Sequence, residues 1–460
     1  MRLASTATAF ANRLRRTPLR VWPTLELGVS EASVLYMAAF LASALLGIIR
    51  QVLLNARFGL GPEAAAFYAA FRLPETVTML IAGGALTNAL VPVLLRAEHR
   101  GGPPAGHRLI NLTLTALLTL FAPLCLLAAL AAPAFVRYLL APGFDPATQA
   151  LTTTLTRIML LEVLLVITES ALVALLISRN QVLLPALAIA LRNLTLIGGI
   201  LAAFAIPGLS ILGPTIGSII DALLQLVILV PGLRQRGYRP RPRWAPSDPD
   251  LRLTARLLGP NALSGLSNYA GTIVDTAFAS LTGIISTVGA LFNALLLIGL
   301  PIRLLGMAIG QAALPRLAAL GVSDDLQAFR ALLRRTLLAA SALSLLAASA
   351  LIALGRPIIR LLFERGAFDA AAGDLTYQLL AIYALGLPAY VATEIATRGL
   401  VARYDTRTPL LANLVQLTAR IALCAVLLQP LGPVAIPTAH ALAAAAETGL
   451  LLLMLRRRAS

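Results

Sequence analysis

The sequence predicts an all-α polytopic membrane protein, with about twelve transmembrane helices in two parallel six-helix lobes, and three observations predict it. Hydrophobic residues make up 58% of the 460-residue chain and charged residues 12%, with a mean hydropathy of +0.85; a soluble domain has roughly a quarter of its residues charged. Apolar runs of about 20 residues, the length that crosses the hydrocarbon core, recur along the chain. Two pairs of short motifs lie 223 residues apart, the mark of a duplicated half.

In chain order, the expected spans are Ser33 to Leu54, Leu73 to Leu95, Leu109 to Leu130, Leu155 to Ile177, Leu183 to Ala205 and Ile211 to Leu233 in the first half. The second half supplies Leu258 to Leu281, Ile284 to Leu305, Leu332 to Leu354, Leu375 to Ile395, Leu410 to Leu428 and Val434 to Leu455. Gly299 to Pro301 and Gly386 to Pro388 both read Gly-Leu-Pro, so kinks are expected in the eighth and tenth spans. Residues 1–29 form a basic tail without the apolar core of a signal peptide. The N-lobe is expected over 30–233, a cytoplasmic linker rich in arginine and proline over 234–252, and the C-lobe over 253–460.

Orientation follows from the arginines, because the chain contains no lysine and its +17 net charge is carried by arginine alone. With the N-terminus inside, the cytoplasmic face collects the tail arginines, Arg96, Arg100, Arg108, Arg179, the cluster from Arg234 to Arg243, and Arg456 to Arg458. The opposite face receives only Arg57, Arg137, Arg356, Arg360 and Arg365. The positive-inside rule then places both termini in the cytoplasm. Anionic membrane lipids are the expected partners of the basic loops; no nucleic-acid-binding motif is visible.

The repeat gives the architecture. Arg137-Tyr138-Leu139-Leu140 leading to Phe144-Asp145 resembles Arg360-Leu361-Leu362-Phe363 leading to Phe368-Asp369, and Leu90-Val91-Pro92 resembles Ala313-Leu314-Pro315. Six spans fit within one repeat, so both copies enter the membrane in the same direction, as in transporters built from parallel repeats.

Ionisable residues at bilayer depth cost at least ~2.5 kcal/mol each on insertion scales, so those present face the bundle interior, a partner or a wet cavity. Arg50, Arg72, Glu75, Arg157, Glu162, Glu169, Arg192 and Asp221 fall in the first-half spans; Asp275, Arg303, Glu394, Arg420, Glu447 and His440 fall in the second. Glu162 and Glu169 are seven residues apart, hence on one helix face. They are candidates for a proton or cation path, or for structural pairing with Arg157 or Arg192. Arg72, Pro74 and Glu75 read as the beginning of a helix, where snorkelling to the interface competes with substrate contact. Arg50, deep in the first span, is a candidate for facing an anion. Asp324-Asp325 reads as a helix cap rather than a metal-binding acid pair. Cys125 and Cys424 lie in spans as small apolar residues. No phosphate loop, metal-spaced His/Cys set or nucleophile constellation is present, so the expectation is a protein that is not an enzyme and needs no cofactor. Its energy would come from an ion gradient or the membrane potential.

The sequence resembles the MurJ/MviN family of lipid II flippases, within the multidrug/oligosaccharidyl-lipid/polysaccharide exporter superfamily. The resemblance is carried by Leu46-Gly47-Ile48-Ile49-Arg50, by Ala66 to Pro74 with Ala89 to Pro92, by Gly306-Met307-Ala308, by Leu361 to Phe368, by Tyr383 to Pro388 and by Asp405 to Pro409. It implies two six-helix lobes around a central, cation-rich cavity that opens alternately to each face. The implied cargo is a polyprenyl-pyrophosphate-linked saccharide, with lipid II for peptidoglycan synthesis as the first expectation, moved across the bacterial cytoplasmic membrane. A small-molecule exporter of the same superfamily and a non-transporting membrane scaffold are the alternatives.

The candidate cavity cations are Arg50, Arg72 and Arg303, and the candidate gating or coupling residues are Glu63, Glu162, Glu169, Asp275 and Arg420; of these, Arg50 and Asp275 fall on positions that the resemblance matches. The family's further charges fall here on Ala44, Gln51, Ala65, Thr78, Gly83 and Leu296, with Glu63 a partial substitute for the gate acid at Ala65. The family's additional C-terminal helix pair is not expected. Family members with a cation site place an acid at the position of Asp275 and polar ligands at those of Arg420 and Cys424. The expectation is that the Arg420 guanidinium occupies the cation's place and pairs with Asp275.

Overall fold

The computed structural model describes residues 28–82, 85–206, 208–322 and 325–459. The basic tail expected over 1–29 lies outside the described residues as far as residue 27, as do Gly83 and Asp324. The described residues are helical almost throughout and contain no strand. Chemistry dictates this: no lipid atom can satisfy a backbone N–H or C=O, so a spanning segment satisfies its own.

In chain order the helices are α1 (Val29–Phe58), α2 (Pro62–Ala82), α3 (Ala85–Phe135), α4 (Pro146–Ser178), α5 (Leu183–Leu191), α6 (Leu194–Ala205) and α7 (Leu212–Gln235). There follow α8 (Pro249–Leu281), α9 (Ser286–Pro301), α10 (Ile309–Val322), α11 (Leu326–Phe363), α12 (Ala370–Val401), α13 (Arg407–Leu431) and α14 (Ala435–Ala459). Among the described residues, nine helical stretches are long and apolar enough to cross a membrane.

Among the described residues the expected spans fall on helix, with three differences of shape. The expected second span includes Gly83 and Gly84, which lie outside the described residues. The third continues from the second within α3, which kinks at Gly101 and Gly102, the latter at φ 66°. The fifth is two helices rather than one, broken at Arg192 and Asn193. Of the two Gly-Leu-Pro motifs, the one ending at Pro301 leads into a π-helical segment, Ile302–Ala308, whereas α12 runs through Gly386 to Pro388 without interruption. Asp325 caps α11 by accepting from the Ala328 N–H at 3.0 Å.

The chain divides into two units. The first comprises Met1–Arg57, Ala70–Pro133 and Ala150–Leu266. Its apolar core joins Leu90 and Leu94 of α3 to Val163, Ile167 and Leu175 of α4 and Leu229 of α7. The opposite edge of α3 leaves Leu120, Leu127 and Leu130 more than 60% exposed, a surface that water would penalise and lipid does not. The arginine- and proline-rich segment after α7 is tied down rather than loose. The Tyr238 hydroxyl donates to Asn111 Oδ1 at 2.8 Å, and the Arg241 N–H reaches the same oxygen at 3.1 Å. Arg108 pairs with Asp248 at 2.8 Å and Arg100 with Asp250 at 2.5 Å. Burial pushes the Tyr238 hydroxyl up to about 12, so it stays a donor at any physiological pH.

The second unit comprises Phe58–Ala69, Ala134–Gln149 and Ser267–Ser460. Here α12 is the central helix, packed by α9, α11 and α14. Tyr68 stacks on Phe292 with ring centroids 4.4 Å apart. Gly59 sits at φ 57° directly against the Ala367 carbonyl, where any side chain would collide with backbone. Gly143 approaches Ser280 in the same way, its N–H donating to Ser280 Oγ at 3.1 Å.

The two repeat motifs share a capping role in this unit. Asp145 accepts from the N–H groups of Ala147 and Thr148 at 3.0 and 3.1 Å at the start of α4. Asp369 accepts from the Ala372 N–H at 2.8 Å at the start of α12. The sequence likeness thus records a shared way of starting a helix.

Candidate functional site

The first unit gathers its charges around a broken helix. The apolar run from Leu183 to Ala205 is long enough for one span, but Asn193 adopts the left-handed conformation at φ 81° and splits it. Asparagine tolerates this region better than other residues with a side chain, and a break frees backbone groups that need partners. Asp221 of α7 supplies one: its carboxylate accepts from the Asn193 N–H at 3.0 Å, Thr195 Oγ1 at 3.2 Å and Gln225 Nε2 at 2.9 Å. From α1, Arg50 Nη1 donates to Asn193 Oδ1 at 2.7 Å. Gly217 of α7 packs so closely on Thr195 and Leu196 that a methyl group there would press on their backbone.

Two acids of α4 complete the cluster. Glu162 stands beside Ser218 and within the field of Arg192, Asp221 and Arg50. Glu169, two turns further along, lies beside Ser170 and within the field of Arg192 and Asp221. Of the two expected pairing partners, Arg192 is close enough for its charge to act on both acids, without a direct ion pair to either. Arg157 points elsewhere, donating through Nε to the Ala129 carbonyl at 2.9 Å. Five ionisable residues, from three helices and the break between two others, therefore share one interior site. Discontinuous helices of this kind mark substrate and ion sites in membrane transporters.

The second unit holds a different arrangement. Asp275 of α8 and Arg420 of α13 are both buried, at 2% and 5% exposure, and form a direct ion pair. Gly271, one turn before Asp275, leaves room for the guanidinium; a methyl group there would meet Arg420 Nη1 at 2.7 Å. Tyr383 and Tyr390 of α12 and Cys424 of α13 surround the pair. His440 of α14 packs on both tyrosines, with ring centroids at 5.6 and 4.9 Å. No group of three or more His, Cys, Asp or Glu side chains is arranged to hold a metal ion among the described residues.

The remaining expected residues have settings of their own. Arg72 is 6% exposed and pairs with Glu75 at 3.0 Å inside α2, not at a helix start. α2 begins ten residues earlier, at Pro62, because Pro74 is accommodated within it. Glu63 occupies the first turn of α2, where the helix dipole favours an acid. Arg303 is exposed on the π-helical segment. Where the family's charges are missing, Ala65 is fully buried and Gln51 is buried, donating to Asn55 Oδ1 at 3.1 Å. Ala44 and Leu296 are exposed.

Reading the residues in order missed Asn193, Thr195, Ser218 and Gln225 as members of the first cluster. It also missed Gly271, Tyr383 and Tyr390 as the setting of the second. An Arg-Asn pair in the middle of an apolar run was the available signal for the break; nothing local marks the tyrosines.

The helices and their buried charge clusters define a multi-pass membrane protein with a transporter fold. Superposition agrees: an inward-closed lipid II flippase MurJ matches with a TM-score of 0.78 at 22% identity, covering 92% of this chain and 87% of that one. An inward-facing multidrug resistance MATE family transporter matches with the same score at 14% identity, covering 93% and 98%.

The family model described as lipid II flippase MurJ matches residues 54–460. A probable lipid II flippase MurJ of Rhizobium meliloti is 32% identical over 88% of this chain and 76% of its own length. The lipid II flippase MurJ of Burkholderia cenocepacia is 29% identical over 80% and 72%. The chain belongs to the lipid II flippase MurJ family.

Proposed function

We propose that this protein moves a polyprenyl-pyrophosphate-linked saccharide, with lipid II the first cargo to test, across the bacterial cytoplasmic membrane by alternating access. Family membership over residues 54–460 is the observation that carries the reading. Arg50, Arg72 and Arg303 are the proposed pyrophosphate-facing cations, since guanidinium groups bind phosphate oxygens by charge-assisted hydrogen bonds. Arg50 and Arg72 already hold internal partners, Asn193 and Glu75; in this reading cargo competes for those bonds. Glu63, Glu162, Glu169, Asp275 and Arg420 are the proposed gating or coupling residues. Both termini are proposed to be cytoplasmic, with the basic loops against anionic lipid headgroups.

The Asp275–Arg420 ion pair supports a coupling step that needs no bound metal cation at this place, because a fixed guanidinium already neutralises the acid. Sodium is then expected to leave the thermal stability of the purified protein unchanged. A sodium-dependent stabilisation that Asp275→Ala abolishes would overturn this part.

The test of the cargo is complementation. A host depleted of its native lipid II flippase is expected to grow when this chain is expressed, and to fail with Arg50→Ala at equal membrane levels. Failure of a well-inserted wild type would redirect the reading to another polyprenyl cargo.

A further inference from the structure

The arginine- and proline-rich segment after α7 is attached to α3 at regular intervals. Asn111 Nδ2 donates to the Arg239 carbonyl at 3.4 Å, the Arg241 N–H donates to Asn111 Oδ1 at 3.1 Å, and the Arg243 N–H donates to Thr115 Oγ1 at 3.0 Å. Every second residue is bonded, the spacing of an extended chain, in which alternate side chains share one side. The residues between them, Pro240 and Pro242, have no N–H to leave unsatisfied. Asn111 and Thr115 are one helical turn apart, so the segment runs along α3 as a strap held by its backbone. Its side chains take no part in the attachment. Arg239, Arg241, Arg243 and Trp244 are all exposed, the last at 62%.

The charge of the strap is uncompensated. The acids that follow it, Asp248 and Asp250, are taken by Arg108 and Arg100 of α3. No acid among the described residues pairs with Arg239, Arg241 or Arg243.

Position along α3 identifies what faces these side chains. Asn111, Thr115 and Thr119 recur at every fourth residue and share one face of the helix. The strap covers the first two, whereas Thr119 is exposed, and beyond it Leu120, Leu124 and Leu127 are half or more exposed on the surface suited to lipid. Thr115, where the strap ends, lies five residues short of Leu120, or ~7.5 Å along the helix. The interfacial layer on each side of the hydrocarbon is about 5–8 Å deep. Arg243 and Trp244 therefore fall in that layer when the hydrocarbon begins at Leu120. Tryptophan is enriched at this level, and arginine there attracts anionic headgroups.

We propose that residues 239–244 are a binding site for anionic phospholipid: Arg239, Arg241 and Arg243 pair with headgroup phosphates, and Trp244 sits where headgroups meet acyl chains. The proposal rests on the reading of the basic loops as lipid-facing, and narrows it to one strap. Because the backbone is fixed before lipid arrives, binding avoids the ordering cost that a flexible basic loop meets.

The chain has two tryptophans, Trp22 and Trp244, so Trp22→Phe leaves Trp244 as the single indole fluorophore of the full-length protein. This protein is reconstituted in vesicles of phosphatidylglycerol and phosphatidylcholine in equal amounts, with bromine near the headgroup end of the acyl chains of one lipid or the other. Trp244 is expected to be quenched by bromine. Brominated phosphatidylglycerol is expected to occupy the site at least about five-fold more than brominated phosphatidylcholine, the effect of one arginine near an anionic surface. Changing Arg239→Gln, Arg241→Gln and Arg243→Gln together keeps the backbone attachment and is expected to abolish the preference. Quenching of Trp244 by acrylamide but not by bromine overturns the proposal. So does equal quenching by the two lipids, or a preference that survives the triple change. If the triple variant does not insert, the Trp22→Phe protein in about 1 M salt, where the screening length is about 3 Å, decides the matter: the preference is expected to fall, and an unchanged preference overturns the site. Spin-labelled phosphatidylglycerol reports selectivity over the whole protein surface. Selectivity there without a preference at Trp244 would overturn the strap and leave the wider reading of the basic loops standing.

Discussion

At the scale of single residues, the Asp275–Arg420 pair has the clearest energetic consequence. Removing one partner from a buried ion pair strands the other charge, at a cost of about 3–5 kcal/mol, whereas replacing both with apolar groups is often close to neutral. Asp275→Leu and Arg420→Leu are each expected to lower the stability of the detergent-solubilised protein by that amount, and the double variant to recover most of it. Chemical denaturation followed by tryptophan fluorescence measures the cycle; strict additivity of the two losses would show that the charges do not interact. Asp145 is a second residue with a defined response. Thr148, through its hydroxyl and its N–H, holds this exposed carboxyl below the usual carboxylate range. A depressed folded-state pKa contributes stability above the unfolded value, and that contribution is lost as pH falls through the folded one. The start of α4 is therefore expected to become protease-sensitive under acid conditions in the wild type, and to be sensitive already at neutral pH in Asp145→Ala.

At the scale of elements, the break between α5 and α6 is built by Asn193 and held by Asp221. A β-branched residue at φ 81° meets steric strain of roughly 1–2 kcal/mol and also loses the bond to Arg50. Asn193→Val is thus expected to destabilise the protein more than Asn193→Gly, which keeps the conformation and loses only the side-chain bond. Thermal unfolding of both variants checks the order. The segment after α7 makes a further case. Without the Tyr238 hydroxyl, Asn111 Oδ1 keeps only the Arg241 N–H, and a buried acceptor left short of a donor costs about 1–3 kcal/mol. Tyr238→Phe is expected to show a loss at the low end of that range and faster amide exchange over residues 238–243.

At the scale of the whole molecule, the expected topology makes a simple demand. Reporter fusions after residue 236 and at the C-terminus are expected to be cytoplasmic, because the arginine clusters there resist translocation; a translocated C-terminal reporter would require an odd number of crossings. The family's charge pattern makes the other demand. With alanine at positions 44 and 65 and leucine at 296, fewer cations and acids are available than the family resemblance implies. The loss from Arg50→Ala should accordingly be close to complete in the growth assay, since few other arginines can compensate.

Much of this was legible in the chain itself. Hydropathy and length place helices along almost the whole chain because lipid permits few other ways to satisfy a backbone, and arginine placement and the 223-residue offset supply the expected direction and duplication. The same reading drew the fifth span as continuous and started a helix at Arg72. A proline inside α2 and an Asn in the left-handed region have local signatures too weak to settle which neighbours will satisfy the backbone. The partners of the buried charges were not legible at all. Whether Glu162 lies in the field of Arg157 or of Arg192, and whether Arg420 reaches Asp275 145 residues away, depends on which helix faces come together, and only the packing of separate helices decides that.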